Sequence, residues 1–327
     1  MVHGDTLSAC SAAVRPPCQR PDTQARSFNK AITLGNLGKA IIANLAVRRQ
    51  SESSVPLFSD FIACVRTEQS RKALEDQFAE HHSGGRFRVT TGENVRALEC
   101  SDVVILAVDP ADVEHVLSEP GCREALRGKL LISVAAGWSR QKLETALYGS
   151  PTTAENSGDG SRAYILRALP NIAALAGQGL TAMEISDPPL PESHLRLADA
   201  IFQSVGKTAH TPPHLMDATT AVAGSTPAFF SIICDALIDA SVAVGMPREL
   251  ARTMIVQSMQ GTASMLQGGL STAQVRDQGT SAEGCTIGGI MVLEEGAVRG
   301  HVGRALREAV TIARQMGHVQ HVNDTRH

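Results

Sequence analysis

Aromatic side chains are scarce in this chain: eight phenylalanines, two tyrosines and one tryptophan, 3% of 327 residues. A surface that stacks nucleic-acid bases needs more of them. Positive charge is not in excess either. Thirty Lys and Arg against 33 Asp and Glu leave a net charge of −3, so no basic field is offered to nucleic acid or an anionic membrane. No uncharged apolar run reaches the roughly eighteen residues a membrane span needs. The most apolar segment, Ala228 to Val244, is broken by Asp235 and Asp239. Cys10, Cys18, Cys64, Cys100, Cys122, Cys234 and Cys285 are odd in number and form no C-x-x-C pair. That spacing argues against a disulfide framework and a metal site, and for reduced thiols in a cytoplasmic enzyme, with the mitochondrion as the alternative. Residues 1–27 lack the continuous apolar core of a secretory signal and read as a disordered leader; 318–327 read as a tail.

What is present is the composition of a globular chain, 43% hydrophobic and 19% charged, long enough for two domains. The runs at 31–34, 61–65, 103–108 and 130–135 are short, apolar and rich in Val and Ile, the pattern of buried strands. Helical spacing lies between them at 39–49 and 70–80. Alternation of this kind predicts a parallel, doubly wound sheet, a Rossmann-like domain over 28–188. The polar stretches 50–59 and 149–162 read as surface loops. After Pro188-Pro189-Leu190-Pro191 the pattern predicts helices only, over 189–317. Pro227 and Pro247 each open a helix, and a last helix runs from about 297 to 316. Phe229, Ile232, Ile233, Ala236, Leu237 and Ala240 make one apolar stripe.

Ile32-Thr33-Leu34-Gly35-Asn36-Leu37-Gly38 stands where a first strand turns into a first helix. Glycines there let backbone amides approach a pyrophosphate. The first glycine of G-x-G-x-x-G is absent, so the residues alone fit a nucleotide turn or a structural one. The end of the second strand, Cys64-Val65-Arg66-Thr67-Glu68-Gln69-Ser70-Arg71, places cations and hydroxyls where an NAD site would have an acid. That favours NADPH, with NADH as the second choice; the bland alternative is a solvated helix start.

The later blocks are more specific. Gly224-Ser225-Thr226-Pro227-Ala228-Phe229, then Gln278 and Ser281-Ala282-Glu283-Gly284-Cys285-Thr286, follow each other in order. They resemble the helical domain of pyrroline-5-carboxylate reductases, with G-S-G-P-A-Y and S-P-G-G-x-T. Gly35-Asn36-Leu37-Gly38 resembles that family's G-N-M-G, and Arg167-Ala168-Leu169-Pro170-Asn171 its R-x-M-P-N. The resemblance spans about residues 30–317 and implies reduction of a cyclic imino acid to L-proline by an intertwined homodimer or higher homo-oligomer. A compact monomeric bundle is the alternative.

The resemblance further implies cofactor contacts at Asn94, at Ala107-Val108-Asp109-Pro110 in place of A-V-K-P, and at Val134-Ala135-Ala136. It implies that Ser281 and the amides of Cys285 and Thr286 hold the substrate carboxylate, with Gly284 also at the substrate. Thr286 would face the ring nitrogen, with Gln278 and Pro227 beside the ring. A capping role is the structural alternative for Ser281 and Thr286. Thr226, Phe229, Ala282, Glu283, Asp109 and Pro213 depart from the pattern. They leave open a related imine such as a piperideine carboxylate, or a catalytically silent NADPH-binding homologue. A carbonyl-reducing hydroxyacid dehydrogenase would use a lysine acid, and no lysine follows Lys207.

Overall fold

The computed structural model describes residues 28–34, 38, 41–42, 58–79, 87–151 and 160–316. Its first part is an eight-stranded sheet of order β3-β2-β1-β4-β5-β6-β7-β8. The strands are β1 (Phe28–Leu34), β2 (Phe58–Val65), β3 (Phe87–Thr91), β4 (Val103–Ala107), β5 (Leu130–Ser133), β6 (Tyr164–Pro170), β7 (Gly179–Glu184) and β8 (Gly206–Thr211). Helices α1 (Glu68–Gln77), α2 (Asn94–Glu99), α3 (Val113–Leu117), α4 (Cys122–Ala125), α5 (Arg140–Tyr148) and α6 (Glu192–Gln203) connect them. Gly38, Ile41 and Ile42 are helical too. The remainder of the helix expected at 39–49 and most of the two expected loops lie outside the described residues, as do the leader and the tail.

Every residue of β4 and β5 is buried, as a parallel sheet covered on both faces requires. Alternation divides them between two cores. Val103, Ile105 and Ala107 face the core that holds Phe202 and Ile201 of α6, whereas Val104 and Leu106 face that of Leu126 and Leu143. β1 lies between β2 and β4, and all three are parallel. Strand order reverses there, opening a crevice beyond the carboxyl ends of β1 and β4.

Two sequence expectations need correction. Strands do not stop at Pro191: β8 pairs in parallel with β7, which is antiparallel to β6. Gly206 begins β8 at φ 151°, and a Cβ there would lie 1.9 Å from the Gly179 carbonyl oxygen. Nor are all seven thiols reduced. Cys100 is disulfide-bonded, while Cys64, Cys122, Cys234 and Cys285 are free; nothing in the cysteine spacing marks that bond.

The second part is helical: α7 (Met216–Gly224), α8 (Thr226–Ala243), α9 (Arg248–Gln267), α10 (Thr272–Gln278), α11 (Cys285–Glu295) and α12 (Val298–Gln315). From α8 onward only Ile238, Ala251 and Ala313 are buried among the described residues. The stripe read from the sequence is open instead, with Ile232 69% and Leu237 48% exposed, and Val292 on α11 reaches 66%. The segment Pro213–Ala243 is apolar and long enough to cross a membrane by composition. The same exposure recurs on α9, α11 and α12; α12 carries charges along its length, α9 in its first turns and α11 at its end. Within one chain these faces do not close into a compact bundle, and they call for a further cover.

Stability should therefore depend on association. The apparent Tm is expected to rise with protein concentration, because association stabilises by mass action. Light scattering should give at least twice the mass of one chain. A concentration-independent Tm for a single-chain species would contradict this.

Candidate active site

The carboxyl ends of β1, β2, β4 and β5 share one edge of the sheet. Ile32, Thr33 and Leu34 close β1, with Thr33 level with Cys64 and Leu106, and Leu34 level with Ala107. Gly35, Asn36 and Leu37 lie outside the described residues; Gly38 is helical and buried. After β4, Ala107 is buried, Val108 half-buried, and Asp109 and Pro110 exposed. Asp109 caps the short 3-10 turn Pro110–Asp112, its Oδ1 accepting from the Ala111 amide at 3.0 Å. A lysine could not accept that bond, which gives the charge reversal a local cause.

After β5, Val134 and Ala136 are half-buried and Ala135 buried, and the chain turns at Gly137, φ 74°. Two bonds lock this turn to the preceding one. The Val134 amide donates to the Leu106 carbonyl at 3.0 Å, and Trp138 Nε1 donates to the Pro110 carbonyl at 2.8 Å. Trp138 was not singled out from the sequence; its signal is a lone indole next to a glycine turn.

Arg66 follows β2. Its pair with Asp112, 3.2 Å apart, has side chains 82% and 43% exposed, so it is held weakly and can be redirected. Thr67 caps α1, its Oγ1 accepting from the Ser70 amide at 3.1 Å. Arg71 is a correction: its guanidinium folds back on Glu68 and Glu75 of its own helix. The sequence shows its charge but not the acids that claim it. Asn94 opens α2, and its Nδ2 donates to Glu119 at 3.0 Å. Beneath it, burial pushes the Cys64 thiol up and that of Cys122 to about 11, which keeps both unreactive.

The second cluster forms on α11. Gly284 is its N-cap residue, with φ −75° and ψ 154°, and no side chain caps the helix. The capping alternative for Ser281 and Thr286 is therefore not realised. The first amides, those of Cys285 and Thr286 among them, are left without intrahelical partners, an arrangement that can receive an anion. Ser281 turns over them: its carbonyl accepts from the Gly284 amide at 3.1 Å. A Cβ on Gly284 would lie 2.5 Å from Ser281 Oγ. Ser281, Cys285 and Thr286 are exposed. Gln278 is exposed at the end of α10, and Pro227 half-buried in the first turn of α8. No hydrogen bond or ion pair among the described residues joins this turn to the sheet edge. The packing path from one to the other runs from α11 to α12, from α12 to α7, and from α7 to β6 and β7.

A family model described as pyrroline-5-carboxylate reductase dimerisation matches residues 213–316, and one described as NADP oxidoreductase, coenzyme F420-dependent, matches 31–137. The chain is 38% identical over 295 residues to a pyrroline-5-carboxylate reductase of Lophium arboricola, covering 90% of this chain and 91% of that one. It is 35% identical over 308 residues to that of Neurospora crassa, covering 88% and 91%. It belongs to the pyrroline-5-carboxylate reductase family. The reductase of Coxiella burnetii superposes with a TM-score of 0.74 at 25% identity, covering 90% of this chain and all (100%) of that one. A Plasmodium falciparum reductase with NADP bound shares the fold, with a TM-score of 0.71 at 22% identity, over 89% and 98% of the two chains.

As a reductase of this family the chain departs from pattern in ways the structure explains unequally. Thr226, in place of glycine, needs no left-handed backbone: it is the first helical residue of α8 and its φ is not positive, and Thr226 Oγ1 bonds the Val222 carbonyl at 2.7 Å. Glu283 differs. It stands where the pattern has glycine and keeps the glycine conformation, φ 57°, at a cost of about 1–2 kcal/mol for an L residue.

Glu283→Gly should therefore raise the Tm, by a net stabilisation of roughly 0.5–1 kcal/mol once glycine's greater chain entropy is subtracted. Gly284→Ala should displace the Ser281 hydroxyl and weaken activity with little change in Tm. A fall in Tm for Glu283→Gly would remove the strain argument.

Proposed function

We infer that this chain reduces 1-pyrroline-5-carboxylate to L-proline with NADPH. The observation that carries the reading is the uncapped start of α11, whose free amides lie beside Ser281 and Thr286 in a chain of this family. The substrate carboxylate sits on the amides of Cys285 and Thr286, with Ser281 as hydroxyl donor. An anion at a helix start meets both unpaired N–H groups and the positive end of the dipole. This orients the ring, so the face of its C=N bond is fixed before any bond changes.

The sheet edge fits a dinucleotide. The crevice at β1 and β4 is flanked by the small side chains of Ala107, Ala135 and Ala136, and the exposed Arg66 and Thr67 stand at the end of β2. Ile32–Gly38, Asn94, Ala107–Pro110 and Val134–Ala136 are the proposed contacts, and Arg66 with Thr67 meets the 2′-phosphate that distinguishes NADPH from NADH. When bound, that nucleotide supplies the hydride that the imine carbon accepts. The ring nitrogen already carries its proton, as an iminium, when the carbon accepts hydride, and Thr286 Oγ is the group assigned to bond that nitrogen. Gln278 and Pro227 border the ring. A pre-protonated imine needs no strong enzymic acid, consistent with a turn that holds hydroxyls and amides. The proposed assembly is a homodimer, closed over the exposed faces of α8 to α12.

Thr286→Ala should lower kcat/KM for the imine tenfold to a hundredfold, the scale of one charge-assisted hydrogen bond of about 1.5–3 kcal/mol. Calorimetry should find NADPH binding unchanged. Parental turnover by this variant would move the site elsewhere.

Arg66→Ala should raise the KM for NADPH and leave that for NADH nearly unaffected, since only one nucleotide carries the 2′-phosphate. Equal effects on both would refute the assignment. The assay compares 1-pyrroline-5-carboxylate with a piperideine carboxylate, so a preference for the larger ring would correct the substrate.

A further inference from the structure

The two parts of the chain meet at α7, and the strand beneath it grips that helix at both ends. Arg167 lies on β6 and is 4% exposed. One of its terminal nitrogens donates to Asp217 Oδ1 at 2.8 Å, and the other lies 3.7 Å from Glu184 Oε2 on β7. Asp217 is in the first turn of α7, where a carboxylate also meets the positive end of the helix dipole. Asn171 follows β6 directly. Its Oδ1 accepts from the Leu180 amide at 3.1 Å, and its Nδ2 donates to the Ala223 carbonyl at 2.9 Å.

That last bond has a cause in the sequence. In a continuing helix the Ala223 carbonyl would accept from the amide four residues on, but that residue is Pro227, which has none. Ala223 is buried, and an unpaired carbonyl there is costly. Asn171 supplies the missing donor. Four residues of strand span about 13 Å and the six residues from Asp217 to Ala223 about 9 Å. The long arginine side chain takes up the difference.

Among the described residues, these are the side-chain bonds that tie α7 to the sheet. α7 passes through Ser225 into α8 and Pro227, α12 packs on α7, and α11 with its anion turn packs on α12. On the other side, Arg167 pairs in register with Ser133, the residue before the Val134–Gly137 turn. We propose that Arg167 and Asn171 are positioning residues: a two-point clamp on α7 that sets how the imine-binding helices are presented to the nucleotide edge of the sheet. Neither residue touches substrate. The proposal rests on the reductase reading for its catalytic consequence, and on geometry alone for its mechanical one.

Full-length Asn171→Ala and Asp217→Asn test it, each removing one point of the clamp; the second changes a half-exposed acid to its isostere and spares the buried arginine. Both should keep the parental oligomer size. NADPH affinity and the KM for 1-pyrroline-5-carboxylate should stay within about twofold, while kcat falls about tenfold or more. The primary isotope effect with NADPH deuterated at the transferred position should rise, because hydride transfer itself is slowed. Hydrogen exchange over residues 216–227 should quicken in both variants with the sheet unchanged, a readout that needs no turnover. A role confined to stability would lower the Tm and leave kcat and the isotope effect of the folded fraction as they were, and that result overturns the proposal. So does unaltered exchange in α7. If the parental protein oxidised no NADPH with the imine while exchange in α7 still quickened, the reductase reading would fail and the clamp would stand.

Discussion

Apolar surface left uncovered by one chain is the constraint on which the rest of this structure depends. From Thr226 to Gln315 the helices carry Ile, Leu, Val and Met outward, and only Ile238, Ala251 and Ala313 are buried. A helix gains most of its stability from packing one face, so these helices are specified by a cover that a single chain lacks. The sheet has no such need, because its two cores close within one chain. A self-sufficient half thus carries an incomplete one, and the incomplete one holds the turn at Ser281–Thr286.

Division of labour at the site follows from the same difference. The sheet edge is rigid: its turns after β4 and β5 are tied by backbone and indole bonds, and its small residues leave room for a flat, extended cofactor. The turn at Ser281–Thr286 is exposed and uncapped, and it carries the left-handed Glu283. Backbone cost of that kind persists only where surrounding structure holds it, and it gathers at functional turns. An uncapped helix start is likewise unfavourable alone and becomes favourable once an anion is seated.

The central strands were legible because burial on both faces leaves them apolar throughout, as in Val103–Ala107. β8 was not, because Gly-Lys-Thr-Ala-His-Thr forms the sheet's last edge, has one neighbour, and is free to be polar. The turn at Ser281–Thr286 could be read from short-range spacing, since its residues lie within one loop. Contacts that depend on distant partners stayed hidden. Arg167 with Asp217 and Asn171 with Ala223 join residues some fifty apart, and Arg71 reads as a free cation until Glu68 and Glu75 are seen to hold it. The sequence does show that Pro227 lacks an amide, but not which side chain makes good the loss.

The bond from Trp138 to Pro110 has a practical side. This chain has one tryptophan, and its indole bridges the two turns of the sheet edge. Indole emission shifts with the polarity and hydrogen bonding of its surroundings. All of the intrinsic tryptophan fluorescence of this protein therefore originates at one spot, the rim of the crevice, and nature has placed there a single-site optical probe that needs no labelling.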